Sequence, residues 1–103
     1  MPKYIIERNI PDAGSLSDSE RQGLAQKSND VLRALPGVQW IESYVTDNKI
    51  YCVYLSPNEE LIREHARRGG FPADAIAAVR HMCDPTSAET PEPAGAGAEF
   101  KAA

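Results

Sequence analysis

The two runs that flank Asp47-Asn48 constrain this chain more than any other feature. Residues 38–46 and 49–56 are rich in Val, Ile, Tyr and Trp, side chains that suit a pleated surface. A two-residue Asp-Asn link leaves room only for antiparallel pairing, so a β-hairpin is expected here. The other elements must be arranged around it. Upstream, Lys3-Tyr4-Ile5-Ile6-Glu7-Arg8 is a short apolar run closed by turn formers at 9–14, which predicts a first strand. Ser17-Asp18-Ser19-Glu20 fits a capping box, and Leu24, Ser28, Val31 and Leu35 recur at helical spacing, which predicts a helix over 18–34 stopped by Pro36-Gly37. Downstream, Ser56-Pro57-Asn58-Glu59 reads as a second capping box with proline at the first helical position. Leu61, Ile62, His65 and Ala66 then share one helical face as far as Gly69-Gly70, a left-handed cap. Residues 71–76 read as a turn and 78–83 as a last strand.

This β-α-β-β-α-β order is the split βαβ, ferredoxin-like α+β arrangement: a four-stranded antiparallel sheet with both helices on one face. The strands are apolar at alternate positions on both sides. Tyr4, Ile6, Trp40, Tyr44, Tyr51 and Val53 are assigned to one side, and Ile5, Ile41, Val45, Cys52 and Tyr54 to the other. Helices cover only one side, so the simplest second cover is another copy of the chain, packed sheet to sheet as a homodimeric α+β barrel. With 103 residues the chain builds one domain. That domain is expected over 1–84. Residues 85–103, with eleven Pro, Ala or Gly, are expected to form a flexible tail.

Hydrophobic residues at 42% and charged residues at 25% are those of a folded globular protein. The net charge of −4, with an isoelectric point near 5.1, repels phosphate backbones and anionic lipid, so nucleic acid and membrane surfaces are not expected partners. No run reaches the roughly 18 apolar residues of a membrane span, and Met1-Pro2-Lys3-Tyr4 does not open a secretory signal; the expected compartment is the cytoplasm. Cys52 and Cys83 lack the spacing of structural zinc and are expected to be reduced thiols.

His65 is the most suggestive candidate for chemistry, because it falls on the helix face that meets the sheet. It could be a satisfied core histidine, or it could serve as a metal ligand or acid-base group. Glu7, Glu42, Tyr44, Cys52 and Tyr54 lie on strands where they could partner it. The carboxylates could instead pair with Arg8, Arg63 or Arg67. His81 and Cys83 are two apart and would share one face of a last strand, where imidazole and thiolate suit a borderline metal. Glu60 and Glu64, one helical turn apart, could attract a surface cation or be merely solvated. There is no Gly-x-Ser-x-Gly elbow, phosphate-cradling glycine loop or HExxH helix, so nucleophilic catalysis has little support.

Tyr4-Ile5-Ile6-Glu7-Arg8 with Pro11, the runs at 40–45 and 50–54, and above all Glu64-His65-Ala66-Arg67-Arg68-Gly69-Gly70-Phe71-Pro72 resemble a small bacterial family of nickel-binding ferredoxin-like proteins, common in actinobacteria. The resemblance implies a homodimer that binds nickel at its surface for sequestration or detoxification. It does not assign ligands position by position. On chemistry, His65, Glu42, Glu7, Glu64, Cys52 and His81 are the candidate ligands for Ni²⁺ or a related divalent metal. The alternative is a dimeric α+β barrel that acts on or carries a small hydrophobic metabolite, with His65 or Glu42 as acid or base and Trp40, Tyr44, Tyr51 and Tyr54 around the ligand. That reading requires an apolar pocket of several hundred Å³ near His65.

Overall fold

The computed structural model of the chain describes residues 1–89. The hairpin forms as expected, from β2 (Gln39–Val45) and β3 (Lys49–Leu55). Thr46 and Lys49 close its tip: the Thr46 amide donates to the Lys49 carbonyl at 2.8 Å. The first strand, β1 (Lys3–Asn9), pairs antiparallel with β3 in the register Tyr4 to Tyr54, Ile6 to Cys52 and Arg8 to Ile50. After β1 the chain turns back onto the hairpin tip, where Ile10 N donates to Asn48 O and Gly14 N to Asp47 O, each at 3.1 Å. A Cβ on Gly14 would stand 3.1 Å from Asp47 Cα, so this close approach favours glycine.

The last strand, β4 (Ala75–Ala78), lies on the other side of β1 and gives the sheet order β2-β3-β1-β4. The expected strand at 78–83 therefore begins and ends earlier. Ala75 to Ala78 pair with Glu7 to Tyr4, and the Val79 amide donates to Lys3 O at 2.8 Å. Beyond that point β1 offers no further residues to pair with. The β4 segment is rich in alanine and is held in place chiefly by its backbone ladder and by Ile76 opposite Ile6, so side-chain β-propensity gives little sign of it.

Helix α1 (Asp18–Leu32) starts on the anticipated capping box: Ser17 Oγ accepts from Glu20 N at 3.1 Å and Glu20 Oε1 accepts from Ser17 N at 2.9 Å. Helix α2 (Glu59–Gly69) starts two residues later than expected. Asn58 is its N-cap, with Oδ1 accepting from Leu61 N at 2.9 Å, while the Ser56 hydroxyl donates to the Asn58 carbonyl at 2.7 Å. The second capping box and proline at the first helical position are thus corrected. Gly70, at φ 70°, ends the helix as the left-handed cap.

The helices pack on one face of the sheet, over Tyr4, Ile6, Ile50, Cys52 and Tyr54, with Ile62 of α2 in the same core. Strand alternation gives β1 and β3 a buried side and an open side. In β2 a bulge at Ile41 breaks the alternation. Trp40 stays opposite Tyr54 on the helix side, whereas Glu42 and Tyr44 sit opposite Val53 and Tyr51 on the open side. The expected grouping of Trp40 with Tyr44, and of Tyr4 and Ile6 with Tyr51 and Val53, is replaced accordingly. Pro85–Glu89 forms a short, exposed 3₁₀ turn after Asp84, whose Oδ1 accepts from Thr86 N at 2.9 Å. The remainder of the expected tail lies outside the described residues.

Candidate functional site

The six candidate ligands lie on different sides of the molecule. Alternation along β1 sends Glu7 to the open face and its neighbour Arg8 under the helices. Glu7 pairs with Lys49 at 3.4 Å. Glu42 is exposed on the open face and accepts a hydrogen bond from the Tyr44 hydroxyl, which holds the Tyr44 phenol above its ordinary pKa. Glu64, on α2, is taken by Arg67 and by Arg68 Nε at 2.6 Å. His81 and Cys83 are exposed and follow β4 instead of belonging to it, so their expected place on one strand face is corrected. Among the described residues no three His, Cys, Asp or Glu groups come together as a metal cluster.

Cys52 and His65 lie on the inner side. His65 is 1% exposed, and its Nε2 is 3.2 Å from Ser28 Oγ of α1. Its Nδ1 has no partner among the described residues. The ring leans against Tyr54 and Phe71, with centroids 5.2 and 5.6 Å apart. Burial lowers its pKa and the nearby Arg8 charge lowers it further, against an opposing hydrogen bond to Ser28, so the imidazole is neutral at neutral pH. Among the described residues no carboxylate faces it. The interior therefore pairs an imidazole with a guanidinium, an arrangement that disfavours entry of a metal cation.

Arg8 is the residue that the sequence reading undervalued. It is 3% exposed, and no acidic side chain among the described residues pairs with it. Nη1 donates to the Pro72 carbonyl at 2.6 Å, Nε points to Cys52 Sγ at 3.4 Å, and the guanidinium carbon lies 5.4 Å from the Phe71 ring centroid. Nη2 has no partner. The signal was available in β1, where Tyr4, Ile6 and Arg8 occupy successive inward positions.

The segment that carries the resemblance builds one wall of this interior. Gly69 allows the turn: a Cβ there would overlap the Phe71 ring at 2.2 Å from Cε2. Gly70 reverses the chain, Phe71 N donates to Ala66 O at 2.8 Å, and Pro72 presents its carbonyl to Arg8. Opposite, α1 contributes the small residues Ala25 and Ser28 to the wall. A partly open cavity of about 220 Å³ remains, lined by both residues with Arg21 and Leu24 of α1, by Trp40, Ser43, Val45, Ile50, Cys52 and Tyr54 of the sheet, and by Arg8, Ile10 and Phe71. It is smaller than the several hundred Å³ expected. It borders the residues that touch His65, but His65 itself does not line it. Tyr44 and Tyr51 do not line it either, because they are on the open face. Burial raises the Tyr54 phenol, as does Cys52, against the pull of Arg8 and Ser28.

Fold and site together define a ferredoxin-like α+β domain with an arginine-bearing, partly open cavity under its helices and an open sheet face. The family model described as "Nickel responsive protein SCO4226-like" matches residues 4–79, and the chain belongs to that family. The crystal structure of SCO4226 from Streptomyces coelicolor A3(2) superposes with a TM-score of 0.68 at 17% identity, covering 79% of this chain and 99% of that one, which shows a shared fold. No curated protein matches this chain.

Proposed function

We propose that the protein binds nickel as a cytoplasmic sequestration or homeostasis factor, and that it does so as a homodimer joined through the open sheet face. Membership of a nickel-responsive family over residues 4–79 is the observation that carries this reading. The open face supports the dimer. It exposes Ile5 and Tyr44 at 41% and 56%, beside half-buried Tyr51, Val53 and Leu55. Glu42 and Glu7 lie on the same face, so a two-fold axis there would double the carboxylates and supply a donor number that one copy lacks. His81 is the exposed imidazole free to add a softer ligand. His65 and Cys52 face Arg8 and are not ligands in this reading, and Glu64 is engaged by two arginines.

Calorimetric titration of tag-free protein with Ni²⁺ at neutral pH, combined with sedimentation, tests this. Saturable heat that weakens about ten-fold or more in Glu42→Gln or His81→Ala, but not in His65→Gln, is the expected result. The absence of nickel-dependent heat overturns the binding. A monomer at every concentration overturns the shared site.

A further inference from the structure

The geometry points to the partly open cavity between α1 and the sheet as a binding site for a small monocarboxylate with an apolar body, its carboxylate held by Arg8. Two independent observations meet there. The first is the space itself. About 220 Å³ bounded by Leu24, Ala25, Val45, Ile50, Trp40 and Phe71 exceeds the roughly 150 Å³ apolar cavity that suffices for a benzene ring. The second is charge. Arg8 lines this space while 3% exposed, has no acidic partner among the described residues, and keeps Nη2 unpaired. A buried, uncompensated guanidinium is costly, and a carboxylate is the group that its fork-shaped donors match.

The surroundings narrow the ligand class. Nη1 and Nε are already directed to Pro72 and Cys52 and Nη2 is sealed from water, so a carboxylate oxygen reaches Nη2 as the side chains around it shift aside. The hydroxyls of Ser28 and Tyr54 are the other polar groups near this end. Arg8 is the single buried cation among the described residues; Arg21, which also lines the space, is exposed and paired with Asp18, and most other walls are apolar, so a phosphate dianion would enter poorly solvated. A metal cation would meet the Arg8 charge directly. The site is thus separate from the proposed nickel site, and its test requires no metal.

The experiment is titration of the full chain, in chelator and without nickel, with hexanoate, benzoate and the neutral isostere hexanol. Binding is read by calorimetry and by the fluorescence of Trp40, which lines the cavity. We expect one site per chain for the carboxylates and binding at least ten-fold weaker for hexanol. In Arg8→Met, carboxylate affinity should fall at least ten-fold while hexanol binding is kept or improved, with circular dichroism confirming that the variant folds. Ala25→Leu, which leaves Arg8 in place and fills the space, should weaken every probe. Equal affinity for acid and alcohol, retention of carboxylate binding in Arg8→Met, or no saturation by any carboxylate in the millimolar range overturns the assignment.

Discussion

The two faces of the sheet are made from the same strands and differ in kind. Under the helices, Tyr4, Ile6, Cys52 and Tyr54 are buried beside Arg8 and His65, and the polar groups there are few and specific. On the open side, Ile5, Tyr44 and Val53 alternate with Glu7, Lys49 and Glu42, and charge is paired at the surface. A single-residue step along β1 separates a carboxylate in contact with solvent from a guanidinium excluded from it. The contrast teaches that hard anionic donors and the imidazole cannot meet within one copy. Within one copy the Glu7 and Glu42 carboxylates lie on the outer face and the Arg8 guanidinium on the inner one.

The largest test of this contrast is packing. Ile6→Ala, at a fully buried position, should lose about 2–5 kcal/mol in urea denaturation, whereas Ile5→Ala next to it should change the isolated protomer by no more than about 1 kcal/mol. If the open face is the dimer seam, the Ile5 loss grows with protein concentration, which sharpens the comparison; equal losses at low concentration would break it. Next in size is Gly69→Ala. Its methyl group displaces Phe71 from Arg8 and His65, at a cost of about 1–3 kcal/mol, and shifts their resonances in NMR spectra.

The pH dependence is smaller and specific to the inner face. The His65 pKa is depressed in the folded state by burial and then by Arg8, with Ser28, Tyr54 and Phe71 the other groups around the ring. Between the ordinary histidine value near 6.5 and the lower folded value, the unfolded chain binds the extra proton. This contribution to stability is thus complete above about pH 6.5 and lost as pH falls through the folded pKa. His65→Gln should flatten that part of the stability profile; an unchanged slope in the variant would show that the imidazole is not shielded. The smallest effect belongs outside, where Glu7→Gln breaks the partly exposed pair with Lys49 and should cost less than about 1 kcal/mol, vanishing in high salt.

Much of the fold was legible because its signals are local. The Asp47-Asn48 link, the Ser17 capping box, the Gly70 cap and the order of elements all depend on residues within a few positions of one another. What was missed depends on partners distant in the chain. The position of β4 is decided by where β1 runs out, not by the β-propensity of Ala75–Ala78. The bulge at Ile41 reassigns Tyr44 and Glu42 to the open face through its pairing with β3. For the candidate site, the helical stripe correctly placed His65 inside, but it did not indicate which groups would surround it.

The amino-acid order alone settled which segments are strands and helices at the hairpin and both caps, because steric and hydrogen-bonding preferences there act over one turn or one link. It also put Tyr4 and Ile6 on one side of β1 and Ile5 on the other, through the two-residue period of a strand, without deciding which side the helices cover. Only the tertiary structure decided that Arg8 would have no acidic neighbour, that Gly69 would make room for Phe71, and that Ala25 and Ser28 would leave a void against the sheet. Each of these depends on a distance between elements, and the packing of the whole molecule sets that distance.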